Sequence, residues 1–432
     1  MAEATRERPR VALVMAGGGS RGAYEAGVLA HLFENVYPKL ADDFEFDIVS
    51  GTSVGAIHAA YVAASAHVPG PERARRIAET WEQMNLRDVL QVSVTDLLGI
   101  PLRAAGLRRL RRRGTGRSDT EVVGGLVNIA PLERLVEQRV PWAELRANLN
   151  GPQPRALCIS CTEIRSGRVT VFMDGALADP RPWSFDPNAQ AVHEQIGVRH
   201  VRASAAIPFL FPAVKLRDRY YVDGGLRMNT PLSPALRLEA DRVLILTLKH
   251  PLRSSAHLPA YPEDVITQPA FLIGKVLDAL MLDQIEYEIH RLGLVNAWID
   301  HGSKVYGDDF LERINEAIYQ QRGVAYRHVR AAVVRPSEDI GRIAASCYRE
   351  RGAAAAMDLL PSLIIRAALR GVPTDEADLL SYLFFDRCFT RQLVELGRED
   401  ARAAEDEILE LLSTDDSGFA ATRAPHEPLA PG

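Results

Sequence analysis

The chain is poor in cysteine, in aromatic residues and in net charge. Its 432 residues hold four cysteines, Cys158, Cys161, Cys347 and Cys388, far too few for a disulfide-built scaffold, and a reducing cytoplasm is the expected setting. Lysine and arginine number 51 against 56 acids, a formal net charge of −5. Nucleic-acid affinity rests mainly on phosphate neutralisation, so no nucleic-acid partner is expected. The opening MAEATRERPR lacks the apolar core of a secretory signal. The longest run without Asp, Glu, Lys or Arg, Ile48–Pro71, is long enough for the ~20 residues of a membrane span. It carries Ser50, Thr52, Ser53, His58, Ser65 and His67, however, and is better read as a buried strand followed by a buried helix. No calcium loop of the D-x-D-x-D-G kind is present. Cys158-x-x-Cys161 has no second such pair, and on a strand residues three apart point to opposite faces. The pair therefore reads as two buried strand cysteines, and no metal or cofactor is expected.

What remains is ordinary globular composition, 47% hydrophobic and 25% charged, with periodic segments. Arg10–Ala16 is a short continuous apolar run, as suits a strand buried on both faces of a parallel sheet. Gly17, Gly18 and Gly19 follow, then a helical pattern from Gly22 to Glu34 with Ala26, Leu29, Leu32 and Phe33 on one face. A second strand, Phe46–Ser50, runs into Gly51-Thr52-Ser53-Val54-Gly55 and another apolar helix. Strand, turn, helix repeated in this way predicts an α/β sheet. Residues 73–146 are mostly helical in pattern, broken by an arginine-rich stretch at 103–117. Strands resume at Ala156–Glu163 and Val169–Met173 around a turn at Arg165–Arg168, and apolar runs ending at Val222 and spanning Val243–Leu248 complete the sheet. Beyond His250 helical patterning dominates to Ser413, including Phe271–Asp283 and Leu379–Gly397. The expected organisation is a flexible start at 1–9, a main α/β domain at 10–250, a mostly helical region at 251–413 and a disordered tail at 414–432.

Two glycine-rich turns carry the chemistry. Gly17-Gly18-Gly19-Ser20-Arg21-Gly22 satisfies G-x-G-x-x-G between a strand and a helix. A dinucleotide site also needs an acid ending the second strand, and that strand ends in Ser50-Gly51-Thr52-Ser53. Either way, backbone N–H groups at a helix start welcome negative charge, a phosphate or the oxyanion of acyl transfer. Gly51–Gly55 matches G-x-S-x-G at a strand–helix junction, where a sharp turn exposes the serine hydroxyl. Ser53 is the candidate nucleophile. A base is then required, and Asp223, which ends an apolar strand before Gly224 and Gly225, is the candidate. His250 also ends a strand, leaving open a Ser53–Asp223–His250 triad.

With these residues the sequence resembles bacterial patatin-like phospholipases, serine acyl hydrolases that use a Ser–Asp dyad. The family's oxyanion element resembles Gly17, Gly18, Gly19, Arg21 and Gly22, completed by Val54. Its nucleophile elbow resembles Gly51, Thr52, Ser53 and Gly55, and its aspartate motif Asp223-Gly224-Gly225. Ala203-Ser-Ala-Ala-Ile-Pro208 and Asn229-Thr-Pro231 resemble flanking blocks, and Leu379–Asp386 resembles extensions of bacterial members. The resemblance implies a three-layer α/β/α sandwich with a helical C-terminal extension. It also implies a lipid acyl hydrolase of phospholipase A or lysophospholipase type, with Ser53 as nucleophile and Asp223 as base. A non-phospholipid carboxylesterase and a nucleotide-binding protein using Gly17–Gly22 are the alternatives. Arg21 is read as orienting the glycine loop, meeting a lipid phosphate, or simply solvated at the helix start. The leucine–arginine mixture around Arg108–Arg113 suits peripheral contact with an anionic membrane surface, a mobile cover over the site, or a solvated face.

Overall fold

The apolar run Val11–Met15 (β1) lies at the centre of the sheet, at most 4% exposed at every residue. The structure is a computed structural model that describes residues 8–41, 44–89, 128–151, 154–183, 185–208, 210–250, 285–351 and 378–413. After β1 come α1 (Gly22–His31), β2 (Ile48–Thr52), α2 (Val54–Ala64) and α3 (Gly70–Glu82). Next are α4 (Ala130–Arg139), α5 (Trp142–Leu149), β3 (Ala156–Glu163), β4 (Val169–Asp174), β5 (Ala189–His193) and α6 (Val198–Ser204). Then follow β6 (Val214–Leu216), β7 (Arg219–Asp223), α7 (Leu232–Arg237), β8 (Arg242–Leu246), α8 (Ile285–Tyr306) and α9 (Phe310–Arg322). The last elements are β9 (Arg330–Val334), α10 (Ile340–Arg351), α11 (Asp378–Leu383), α12 (Arg387–Ala403) and α13 (Glu405–Leu412).

The sheet runs β5-β4-β3-β2-β1-β8-β9, with β6 and β7 off this path. Because successive strand residues face opposite sides, β1 divides two cores. Val11, Leu13 and Met15 pack with α1, α2, α3 and α12, while Ala12 and Val14 pack with Leu232 and Ala235 of α7 and Ile285 and Leu292 of α8. Helices thus cover both faces of a mixed, largely parallel sheet, giving the three layers expected. Cys158 and Cys161 fall in opposite cores, both fully buried, as the strand period requires.

Three features differ from the sequence expectation. β9 pairs in parallel with β8, Arg242↔Arg330 through Leu246↔Val334, so the sheet continues past residue 250. The strand Arg330-Ala-Ala-Val-Val334 has too little apolar contrast to stand out beside its helical neighbours. The single helix expected over Leu379–Gly397 is two, α11 and α12, separated at Phe384–Asp386. Asp386 opens the second as an N-cap, its side chain accepting from the Cys388 N–H at 2.8 Å. Cys347 and Cys388, for which the sequence suggested no pairing, form a disulfide between α10 and α12, which departs from the reduced state expected of a cytoplasmic chain. α12 lies closely on α1, and Gly397 faces the Tyr24 carbonyl where a Cβ would stand only 2.1 Å away. The basic stretch 103–117, the helix expected at 271–283 and the tail 414–432 lie outside the described residues. Among the described residues no helix is long and apolar enough to cross a membrane.

Candidate active site

Sheet register alone brings the two candidate residues together. One edge of β3 is shared by two strands: β2 pairs in parallel as far as Thr52↔Ser160, and β7 pairs antiparallel from Glu163↔Tyr221 to Cys161↔Asp223. The C-terminal ends of β2 and β7 therefore meet head to head, opposite adjacent residues of β3. Ser53, just past β2, donates its Oγ–H to Asp223 Oδ2 at 2.6 Å.

Ser53 has φ 54° and ψ −119°, a region uncommon for a residue with a side chain and costing about 1–3 kcal/mol. The surroundings hold it there. Its N–H donates to Ser204 Oγ at 2.9 Å, and Ser204 Oγ–H donates to the Ser160 carbonyl at 2.6 Å. The elbow folds so tightly that a Cβ on Gly51 would come within 2.1 Å of the Gly55 carbonyl oxygen, and one on Gly55 within 2.4 Å of the Met15 carbonyl oxygen, which accounts for glycine at both ends of the motif. Thr52 Oγ1 donates to the Met228 carbonyl at 2.9 Å, tying the elbow to the segment after the aspartate motif.

Asp223 is wholly buried. Burial pushes its carboxyl up to about 6, opposed by the hydrogen bonds from Ser53 and from the Gly225 N–H, the latter reaching Oδ1 at 2.7 Å. Its carboxylate engages the serine directly, with no histidine between them. His250 instead places Nδ1 3.0 Å from the Pro336 carbonyl, which corrects the triad reading in favour of a dyad.

The glycine loop lies beside the elbow. Among the described residues no acceptor meets the N–H of Gly18, Gly19 or Val54, and all three groups are open to a developing negative charge. The other members of the expected oxyanion element play different parts. The Gly17 N–H donates to the Asn229 carbonyl at 3.0 Å, and Asn229 Nδ2 donates back to the Gly17 carbonyl at 3.1 Å. The Gly22 N–H closes onto the Gly19 and Ser20 carbonyls. Arg21 turns its guanidinium to Ser381 and Tyr382 and is 3% exposed, so it is not a solvated arginine. The N–H groups of Gly17 and Gly22 are thus engaged within the fold, whereas those of Gly18 and Gly19 meet no acceptor among the described residues.

A buried polar chain, not foreseen from sequence, supports the loop from behind. Trp81 Nε1 donates to His58 Nε2 at 2.9 Å, which puts the histidine proton on Nδ1. His58 Nδ1 lies 2.8 Å from Glu25 Oε2 and therefore donates to it, and Glu25 Oε1 accepts from the Ala16 N–H at 2.8 Å. Burial raises the Glu25 carboxyl while the His58 and Ala16 hydrogen bonds oppose that rise. Ser204, Asn229 and this chain were missed because each acts through a contact between distant segments. The only sequence signal was the pair of blocks around Ala203–Pro208 and Asn229–Pro231.

From Ser53 opens a pocket of about 660 Å³, partly continuous with solvent. Its walls are almost wholly apolar, with Ile57, Trp81, Leu132, Val136 and Phe211 among them, joined by Tyr382, Leu383 and Phe385 from the C-terminal region. Such a lining takes hydrocarbon rather than charge. Among the described residues no three His, Cys, Asp or Glu side chains are grouped to hold a metal ion.

Residues 13–236 match the family model of patatin-like phospholipases. No curated protein matches the chain. The crystal structure of VipD from Legionella pneumophila aligns with a TM-score of 0.31 and 13% identity, over 87% of this chain and 67% of that one. The family match covers more than half of the sequence, from β1 into α7, and the chain accordingly belongs to the patatin-like phospholipases, a family of lipid acyl hydrolases.

Proposed function

We propose that the protein cleaves carboxylic esters of glycerolipids, as a phospholipase A or lysophospholipase, through an acyl-enzyme on Ser53. The observation that carries this reading is the 2.6 Å hydrogen bond from Ser53 Oγ to a buried Asp223 at the mouth of an apolar pocket.

An acyl chain enters the pocket and sets its ester carbonyl against the elbow. Ser53 Oγ attacks the carbonyl carbon as its proton passes to Asp223 Oδ2, so the new C–O bond forms while the O–H bond breaks. The carbonyl oxygen becomes an oxyanion, and the N–H groups of Gly18, Gly19 and Val54 hold it. The tetrahedral intermediate collapses, the C–O bond to the leaving alcohol breaks, and Asp223 returns the proton to that alcohol. Water then repeats the sequence: its proton goes to Asp223, its oxygen attacks the acyl carbon, and Ser53 departs reprotonated with free fatty acid as product. A carboxylate raised to about 6 is both ionised at neutral pH and basic enough to share a proton with a hydroxyl.

Fatty-acid release from phosphatidylcholine and phosphatidylglycerol vesicles, with EDTA present, tests the reading. Wild type should release fatty acid, and Ser53→Ala should fall to background, a loss of at least about 10³-fold. Cleavage of a soluble short-chain ester without vesicle hydrolysis would move the substrate to the carboxylesterase class. Turnover retained by Ser53→Ala would remove the serine from the mechanism.

A further inference from the structure

The segment Leu379–Asp386 lies outside the family-matched residues and has no part in the reaction as written above. In the fold it stands on the glycine loop. Ser20 Oγ donates to the Ser381 carbonyl at 2.6 Å, and Arg21 Nε donates to Ser381 Oγ at 2.7 Å. The Arg21 guanidinium lies 4.2 Å from the centre of the Tyr382 ring. Gly19 has φ +57°, and a Cβ there would stand 2.3 Å from the Tyr382 carbonyl oxygen. Gly19, Ser20 and Arg21, three consecutive loop residues, thus each meet Ser381 or Tyr382. Arg21 immediately precedes α1, the end of a helix that disfavours a cation. A buried charge there is costly unless it finds partners; Ser381 supplies a hydrogen bond and Tyr382 an aromatic face.

The same turn then reaches the pocket. Leu383 and Phe385 line it, and the Phe385 ring lies nearly parallel to that of Trp81, 6.4 Å between centres and 17° between planes. The turn is secured on its far side by the Asp386 cap on α12 and by the Cys347–Cys388 disulfide one turn of chain away.

We infer that Ser381–Phe385 is a working wall of the site: a strap from the C-terminal region that fixes the glycine loop through Ser381 and bounds the acyl pocket through Leu383 and Phe385. Ser381 touches no reacting atom, and acts through Arg21 as a positioning residue. Oxyanion donors are effective only when placed to within fractions of an ångström, and a displacement of ~1 Å costs about 10²-fold in rate. The inference rests on the acyl-hydrolase reading and names the part of the chain's own extension that enters it.

The test uses the full chain with a soluble short-chain ester and a fluorophosphonate label. Ser381→Ala should lower kcat at least about 10-fold with KM little changed, and should slow labelling of Ser53 by a similar factor. Ser381→Thr, which keeps the hydroxyl, should restore most of the rate. Arg21→Gln should lose as much, and the double variant should lose no more than the worse single one, because both break one contact. The pH midpoint of kcat/KM should stay at its wild-type value in all of them. Phe385→Ala reads the other half of the strap, leaving the Ser381–Arg21 contact in place: it should shift the ratio of long-chain to short-chain kcat/KM toward longer acyl groups. Wild-type kcat in a folded Ser381→Ala protein, losses that multiply in the double variant, or an unchanged chain-length profile in Phe385→Ala would overturn the strap while wild type stays active. A wild type that neither turns over nor labels would instead bring down the acyl-hydrolase reading and the strap with it.

Discussion

The behaviour of one carboxyl group links catalysis and stability in opposite directions. Asp223 is fully buried and its carboxyl is pushed up to about 6, against about 3.9 in an unfolded chain. As a base it must be ionised, so kcat/KM should rise with pH through a midpoint near 6 and level off above it. Folding pulls the other way. The native state binds this proton more tightly than the unfolded state, so the contribution to stability is complete below about pH 4 and is lost as pH rises through 6. Asp223→Asn removes the buried charge, and its amide can still be satisfied, the oxygen accepting from the Gly225 N–H and the NH₂ donating to Ser53 Oγ. It should abolish ester turnover yet raise unfolding free energy at pH 8 by on the order of 2–3 kcal/mol, with the advantage fading as the pH falls toward 4. Urea melts of both proteins at pH 4 and pH 8 decide the matter. An Asn variant that retained more than a tenth of the turnover, or that gained no stability at pH 8, would contradict the role given to this residue.

Between elements, the decisive contacts are those that sequence spacing does not record. Glu25 on α1, His58 on α2 and Trp81 on α3 form one hydrogen-bonded chain ending on the Ala16 N–H, immediately before the glycine loop. Every proton in that chain has one place to go, since Trp81 can only donate and the His58 Nε2 must accept. Glu25→Gln breaks this however the amide is turned, because its NH₂ then faces either the Ala16 N–H or the His58 N–H, or forces a flipped histidine N–H against Trp81. Although the change removes a buried carboxylate, it should destabilise the protein by about 1–3 kcal/mol, visible as a lower urea midpoint at unchanged slope. Equal midpoints for the two proteins would mean that the chain carries no load. The two strand–turn–helix units holding Gly17–Gly22 and Ser53 were legible in the sequence because continuous apolar runs and glycine turns are local signals. Asp223 was legible for the same reason, as a carboxylate between an apolar strand and two glycines. β6, only Val214–Leu216 long, and β5, an edge strand with partly exposed residues, carry no such pattern. The strap was illegible because Phe384 and Phe385 continue a helical apolar period that the Asp386 cap interrupts. Nothing in spacing joins residues 19–21 to 381–382.

At the scale of the whole molecule the question is how a chain of net charge −5 reaches a lipid surface. Val89, which precedes the basic stretch in the chain, lines the pocket, and so does Leu132 on the first turn of α4, which follows it. The residues between them in sequence include arginines at 108, 109, 111, 112 and 113 with leucines at 107 and 110. We propose that this segment brings the pocket mouth to anionic membrane. Arginines near such a surface contribute roughly 1 kcal/mol each at low salt, an attraction that fades within a Debye length. Replacing the five with glutamine should therefore weaken co-sedimentation with phosphatidylglycerol vesicles at least about 10-fold at low salt, and should remove most of the salt dependence. Fatty-acid release from those vesicles should fall in step, while turnover of a soluble short-chain ester stays at the wild-type rate, because the substitutions leave Ser53, Asp223 and the glycine loop untouched. Vesicle binding indifferent both to anionic lipid content and to the five substitutions would assign the arginines to solvent and require another route from water to membrane.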